Sequence, residues 1–515
     1  MIRGAIRNAT LTAAAAATAI SALGCGETVY VRRGELSARA RVPLPPAARA
    51  PAPEAMYFRD YGVRDPRRTS VDPLSTFAMD VDTGSYTLCR SYLDRGRLPP
   101  PEAVRVEEFV NYFPYDYPSP EVGGRALGIC LDAAPSPFAP GWTLMRVGIQ
   151  GRPVGSARRK PAVLTFVIDV SGSMAREDRL GLVKRSLQML VRNLRPDDRI
   201  GIAAYGSTGR EVLEHTPVRC RGTILAAIDG LAAGGSTNAE EGLVIGYGMA
   251  RRALEAESIN RVILCSDGVA NVGRTGPEAI LRRIGREADE GITLTTVGVG
   301  MGNYNDVLME QLADQGDGLY AYVDDLSEAR RVFVDEMVST LQVVARDAKV
   351  QVDFSRQTVE AYRLVGYENR DLADESFRDG RADGGEVGAG HRVTALYELK
   401  LREEAEGRIA TVSVRYTDPD SGLAREIGED LGAWEVRNRF ERAPRSFRLA
   451  ACAAQFAEIL RRSRYGSRTS LAEVLAEAKR CRAPFQGRGD MAELVGLIDK
   501  ARRLAPHGRA GERDD

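Results

Sequence analysis

The segment Phe166–Met174, FVIDVSGSM, brings one carboxylate and two hydroxyls, Asp169, Ser171 and Ser173, to alternate positions of a small-residue turn after an apolar run. Oxygen donors spaced in this way suit an oxygen-seeking divalent cation, which needs several of them converging on one point. Gly172 between the serines has no side chain to crowd such an ion. Two further polar residues stand in comparable places: Thr237 in GGSTN, just before a helical pattern, and Asp267 in SDG, at the end of the apolar run VILC. A purely structural alternative has Ser171, Ser173 and Thr237 capping helices and the two aspartates in turns. The histidines, His215, His391 and His507, are remote from all five positions in sequence. No nucleophile stands with a base, so binding rather than turnover is expected.

The surrounding elements explain how five separated residues could meet. From Pro161 to Leu341, apolar runs alternate with helix-period segments. AVLTFVID (162 to 169) is near-continuously apolar, as in a parallel strand covered on both faces, and Leu180, Val183, Leu187, Leu190 and Leu194 form one helical stripe. Strands follow at 199–207, 210–218, 261–268, 292–300 and 318–323, with helices near 222–232, 242–256, 277–290, 305–315 and 327–341. This alternation predicts an α/β fold, a doubly wound, mainly parallel sheet. In such sheets ligands bind at the carboxyl ends of the strands, where strand order reverses. Asp169 and Asp267 end strands, and Thr237 precedes a helix.

DVSGSM, GGSTN and SDG, in this order, resemble the metal-ion-dependent adhesion site of the von Willebrand factor type A domain. The resemblance implies a metal set of Asp169, Ser171, Ser173, Thr237 and Asp267, with the hydroxyls on the ion and the aspartates acting largely through water. It implies Mg²⁺, or Ca²⁺ or Mn²⁺, as cofactor, and a protein partner whose carboxylate completes the coordination. A second function stays open, in which the ion stabilises the fold or clamps the domain against its neighbour. Residues 75–117, 260–273, 298–306 and 363–370 are similar to a bacterial subgroup of these proteins, so the likeness covers roughly residues 70 to 505.

Outside residues 161–343 the pattern is mixed. Residues 70–160 carry strands at STFAMDV, ALGICLDAA and TLMRVGIQ, and helices near 85–94 and 104–112; residues 344–440 are mostly strands. The two blocks are expected to form one β-rich domain with the α/β domain inserted, and residues 441–515 a helical C-terminal region. VDTGS (81 to 85) matches the signature of aspartic proteases, which need two such loops. The other candidate, Asp420-Ser421-Gly422, lies in a turn, so protease activity is not expected.

The first 24 residues read as an export signal: Arg3 and Arg7, the apolar run Ala9–Leu23, then ALGC. Cys25 resembles a bacterial lipidation site, and an ordinary secretory signal is the alternative. Lipidation would anchor the chain to a membrane that it does not span. Gly26 favours the outer over the inner membrane, and the expected location is the cell envelope, periplasmic or surface-exposed. Residues 25–69, rich in Ala, Pro and Arg, read as a disordered spacer reaching on the order of 100 Å. Lys plus Arg number 71, as do Asp plus Glu, which gives no basic field for nucleic acid. Export permits disulfides, and Cys89 with Cys130 or Cys452 with Cys481 are the simplest pairings.

Overall fold

The computed structural model describes residues 56–79, 82–120, 124–268, 277–302, 304–336, 341–380, 382, 384–482 and 489–505. The export signal, Cys25, most of the spacer and His507 lie outside the described residues. No described helix is long and apolar enough to cross a membrane.

Four short strands come first: β1 (Arg67–Arg68), β2 (Leu74–Ala78), β3 (Leu127–Pro135) and β4 (Thr143–Gly151), with helices α1 (Gly84–Asp94) and α2 (Val106–Asn111) between β2 and β3. The α/β segment follows. Its strands are β5 (Ala162–Asp169), β6 (Arg199–Tyr205), β7 (Gly209–Pro217), β8 (Ile259–Ser266), β9 (Ile292–Val299) and β10 (Tyr320–Val323). Its helices are α3 (Leu182–Asn193), α4 (Arg221–Asp229), α5 (Ala239–Arg252), α6 (Pro277–Asp289), α7 (Asp306–Gln315) and α8 (Leu326–Arg330). The remaining strands are β11 (Val343–Phe354), β12 (Val359–Val365), β13 (Asp371–Leu372), β14 (Gly385–Gly388), β15 (Arg392–Leu401), β16 (Arg408–Thr417) and β17 (Ala424–Gly432). Helices α9 (Arg445–Leu460), α10 (Leu471–Arg482) and α11 (Gly489–Leu504) end the fold.

The α/β sheet runs β10-β9-β8-β5-β6-β7, parallel except for β7 at one edge. Central strands buried along their whole length are near-continuously apolar, as β5 is. Strand order reverses between β5 and β8, which makes that the crevice position. The β-rich part consists of two sheets, β1-β12-β15-β4-β3 and β13-β2-β11-β16-β17. β4 pairs with β15 and β2 with β11, so strands from either side of the α/β segment share both sheets. Their inner faces close one core that includes Val147, Val350, Tyr397 and Val412. The α/β fold is therefore inserted in a β-rich domain. Its ends meet where the Lys160 amide donates to Gln342 Oε1 at 3.2 Å.

Two parts of the chain differ from the sequence expectation. Residues 56–69 belong to the packed structure rather than to the spacer: the Tyr57 amide donates to the Tyr304 carbonyl at 2.9 Å, and β1 pairs with β12. β1 adds to the β12 edge and Tyr57 bridges to Asn305, and Met56, Tyr57, Phe58 and Tyr61 set this stretch apart from the Ala-, Pro- and Arg-rich residues before it. Helices α1 and α2 leave the β-rich domain for a core shared with α9–α11 and one face of the α/β sheet, through Tyr86, Phe109, Phe456 and Tyr322. The expected disulfides are absent: Cys89, Cys130, Cys452 and Cys481 are free thiols. Cys89 is buried with its thiol turned to the Ala103 carbonyl at 3.7 Å, whereas Cys130 is only half-buried on β3. Cys452 and Cys481 are neighbours, and hydrogen bonding to Cys481 together with burial pushes the Cys452 thiol well up.

Glu107 on α2 is 2% exposed and accepts the Tyr367 amide at 3.0 Å. Gly366, at φ +83°, allows that approach, since a Cβ there would lie 2.5 Å from Glu107 Oε2. Burial, reinforced by Glu368 and Glu108, raises this carboxyl from 4.5 to about 7. A raised carboxyl favours the folded state while protonated, so its contribution is full below pH 4.5 and is lost as pH rises through about 7. Urea unfolding at pH 5 and pH 8 should show wild type losing more stability between the two than Glu107→Gln. Equal losses would show that Glu107 does not titrate in this window.

Candidate metal centre

Among the described residues, no three side chains of His, Cys, Asp and Glu gather as metal ligands. The oxygen set at the carboxyl ends of β5 and β8 is of another kind, two carboxylates with hydroxyls. β5 carries Asp169 to its last position, fully buried. Asp169 Oδ1 accepts the Ser171 amide at 2.8 Å, which folds the turn back on the strand end, and Oδ2 accepts the Ser266 hydroxyl at 2.9 Å. Ser171 Oγ and Ser173 Oγ are 2.9 Å apart. Asp267, one residue beyond β8, is buried and hydrogen-bonds the Ser173 side chain. Gly172 and Ser173 are exposed, so the mouth of the site faces solvent.

Thr237 is half-buried in the loop before α5, where Asn238 caps the helix by accepting the Glu241 amide. That loop is stitched to the serine turn: the Gly172 amide donates to the Gly235 carbonyl at 2.9 Å, and the Gly234 amide to the Val170 carbonyl at 2.7 Å. Gly235, at φ +85°, makes the tight approach possible, since a Cβ would lie 2.4 Å from Ser207 Oγ. Direct side-chain contacts thus join Asp169, Ser171, Ser173 and Asp267, and main-chain hydrogen bonds hold the Thr237 loop against them.

Sequence reasoning missed Arg179. It lies on a π-helical turn, Glu177–Gly181, before α3 and is 3% exposed. Its guanidinium pairs with Asp267 Oδ2, donates to the Ser173 carbonyl at 3.0 Å and reaches the Met301 carbonyl at 2.8 Å. One signal pointed to it: Arg179 precedes Val183 by four residues, which puts it on the buried stripe.

The donor set fits a hard dication. Burial pushes the Asp169 carboxyl up, opposed by hydrogen bonds from Ser171 and reinforced by Asp267. Burial likewise raises Asp267, against the pull of Arg179. One guanidinium for two carboxylates leaves negative charge that a cation would neutralise. Ser171, Ser173 and Thr237 would offer neutral oxygens to the ion, with Asp169 and Asp267 beside them.

The described histidines, His215 and His391, take no part. His215 Nε2 bonds Thr165 Oγ1 at 2.9 Å, and burial, with Arg199 and Arg252, lowers it to about 4. The protease signature is equally structural. Asp82 is 4% exposed; it accepts the Tyr320 amide at 2.9 Å and pairs with Arg370 at 3.3 Å. Asp420 is exposed and pairs with Lys160.

Residues 164–334 match the family described as von Willebrand factor type A domain, and residues 52–146 the one described as von Willebrand factor. Residues 339–504 match the family described as Uncharacterized protein YfbK, C-terminal. The uncharacterized protein YfbK of Escherichia coli (strain K12) is 35% identical over 473 residues, 87% of this chain and 81% of that protein. The uncharacterized protein sll0103 of Synechocystis sp. is 28% identical over 298 residues, 56% of this chain and 69% of that protein. The solved structure of a von Willebrand factor type A protein from Catenulispora acidiphila covers 74% of this chain and 89% of its own, at 16% identity and a TM-score of 0.44. Domains of this type generally mediate protein–protein interaction, often with a bound metal. At 35% identity over most of both chains, this protein belongs to the YfbK family of von Willebrand factor type A domain proteins.

Proposed function

We propose that this chain is an exported, non-enzymatic binding protein of the cell envelope, lipid-anchored at Cys25. In this reading it captures an acidic side chain of a protein partner through Mg²⁺, or Ca²⁺ or Mn²⁺, at Asp169, Ser171, Ser173, Thr237 and Asp267. The supporting observation is the pair of serine hydroxyls, 2.9 Å apart, beside two buried carboxylates that share one guanidinium. Both carboxylates and Arg179 together carry one negative charge. A dication converts that to one positive charge at a solvent-facing mouth, and a partner carboxylate is the natural last ligand. The ends of the α/β insert meet at Lys160 and Gln342, at the amino end of β5, whereas the site is at its carboxyl end. That separation favours an external partner over a clamp on the β-rich domain.

The experiment is a pull-down from native envelope extract with the full chain. Magnesium should support capture, EDTA should release the partner, and Ser171→Ala should capture none while melting like wild type without metal. Capture indifferent to both EDTA and the substitution would overturn this function. Lost stability without any metal-dependent partner would support an internal role for the ion.

A further inference from the structure

At the other end of the α/β sheet lies a cavity of about 580 Å³, walled by β8, β9 and β10, α8 and the chain after it, the turn before β15, the end of α2 and Glu493 of α11. Two of its lining residues are anomalous. Arg261 on β8 is 3% exposed; its Nε donates to Thr293 Oγ1 at 3.2 Å, but its Nη1 is buried with no partner. Thr295, 2% exposed, also has a buried hydroxyl with no partner. Arg261 and Thr293 are opposite each other in register, and Thr295 is two residues along β9, so all three share one face of the sheet.

A buried guanidinium with an unused N–H is costly unless a counter-charge meets it. Burial pulls Arg261 down to about 10, against the pull of Glu386. The adjoining turn adds donors rather than acceptors. His391 Nδ1 accepts the Gly388 amide at 3.3 Å, which leaves Nε2 to carry the proton, and Arg392 follows it. Of the carboxylates that line the helical wall, Glu328 and Glu336 pair with Arg331 and Glu493 with Arg90, and Asp335 is not free either. The sheet wall is thus rich in donors and poor in acceptors.

We propose that this cavity binds a small oxyanion, a phosphate- or carboxylate-bearing molecule, with Arg261 as its charge partner and Thr295 as a second donor. A guanidinium fork matches either group, and the volume admits a ligand of metabolite size. The site is independent of the metal centre, which lies at the opposite ends of the same strands.

The test uses the full chain in EDTA at constant ionic strength, with inorganic phosphate and citrate as separate probes, read by calorimetry and by melting temperature. One or both should bind saturably and raise the melting temperature of wild type, and the stronger probe distinguishes phosphate from carboxylate chemistry. Arg261→Met should weaken that binding about tenfold or more, and Thr295→Val by a smaller factor in the same direction. Arg261→Met should also melt at or above ligand-free wild type, because an unpaired buried charge has been removed, and this confirms that it folds. Neither probe exceeding a chloride control, or equal binding by Arg261→Met, would overturn the proposal.

Discussion

Asp169→Asn should take up magnesium or manganese about 10- to 100-fold more weakly than wild type, the range for groups that tune a metal from its immediate surroundings. The same substitution should leave the metal-free protein at least as stable. The two effects have one origin: Asp169 is fully buried, and burial is the largest influence raising its carboxyl. An amide of the same shape carries no charge to desolvate and can still accept the Ser171 amide, so the apo fold tolerates it. With the ion present the order reverses, since metal at ~100 times its dissociation constant adds roughly 2.7 kcal/mol to wild type. Calorimetric uptake and melting curves with and without metal measure both effects. Unchanged uptake by Asp169→Asn would remove the site; a variant weaker than wild type in EDTA would make Asp169 a structural residue first.

Arg105→Met should destabilise the protein by roughly 3–5 kcal/mol, as expected when one partner of a buried ion network is lost. Arg105 precedes α2 and is 5% exposed. It pairs with Glu108 and with Asp306 at 2.6 Å, and approaches Glu310 at 3.7 Å. All three acids are almost completely buried, and burial already raises Glu310 to about 8. Methionine fills the volume but leaves these acids with Arg370, 3.5 Å from Glu310, as the nearby cation. Asp306 and Glu310 belong to α7, so the same contact fastens the N-terminal helices to the α/β sheet. Urea titration gives the value, and a change under about 1 kcal/mol would mean that apolar packing alone holds these helices.

The alternating pattern from residue 161 to 341 was legible because strands covered on both faces and helices covered on one leave distinct apolar periods. The serine turn was legible because its donors lie within five residues. That Asp267 meets Ser173 followed from topology, since parallel strands place their ends together. Arg179 was hidden by its type: an arginine ahead of an amphipathic helix reads as solvated even where its spacing to Val183 points inward, and the fold shows which partner it meets, Asp267. The placement of α1 and α2 was hidden because their partners, α7 and α9–α11, lie hundreds of residues away. Residues 56–69 show the same limit: the spacer composition ends before them, but the partners that hold them, the β12 edge and the core that takes Met56, are remote in sequence.

The shared core also determines what can be cut from this protein. Lys160 and Gln342 meet, so the α/β segment could be excised or grafted without rethreading its host. Yet one side of its sheet, with Val167, Val262, Leu264 and Tyr322, belongs to a core completed by helices from both ends of the chain. Cut free, the segment would expose a sticky apolar flank, and recombinant work on binding should begin with the uncut polypeptide.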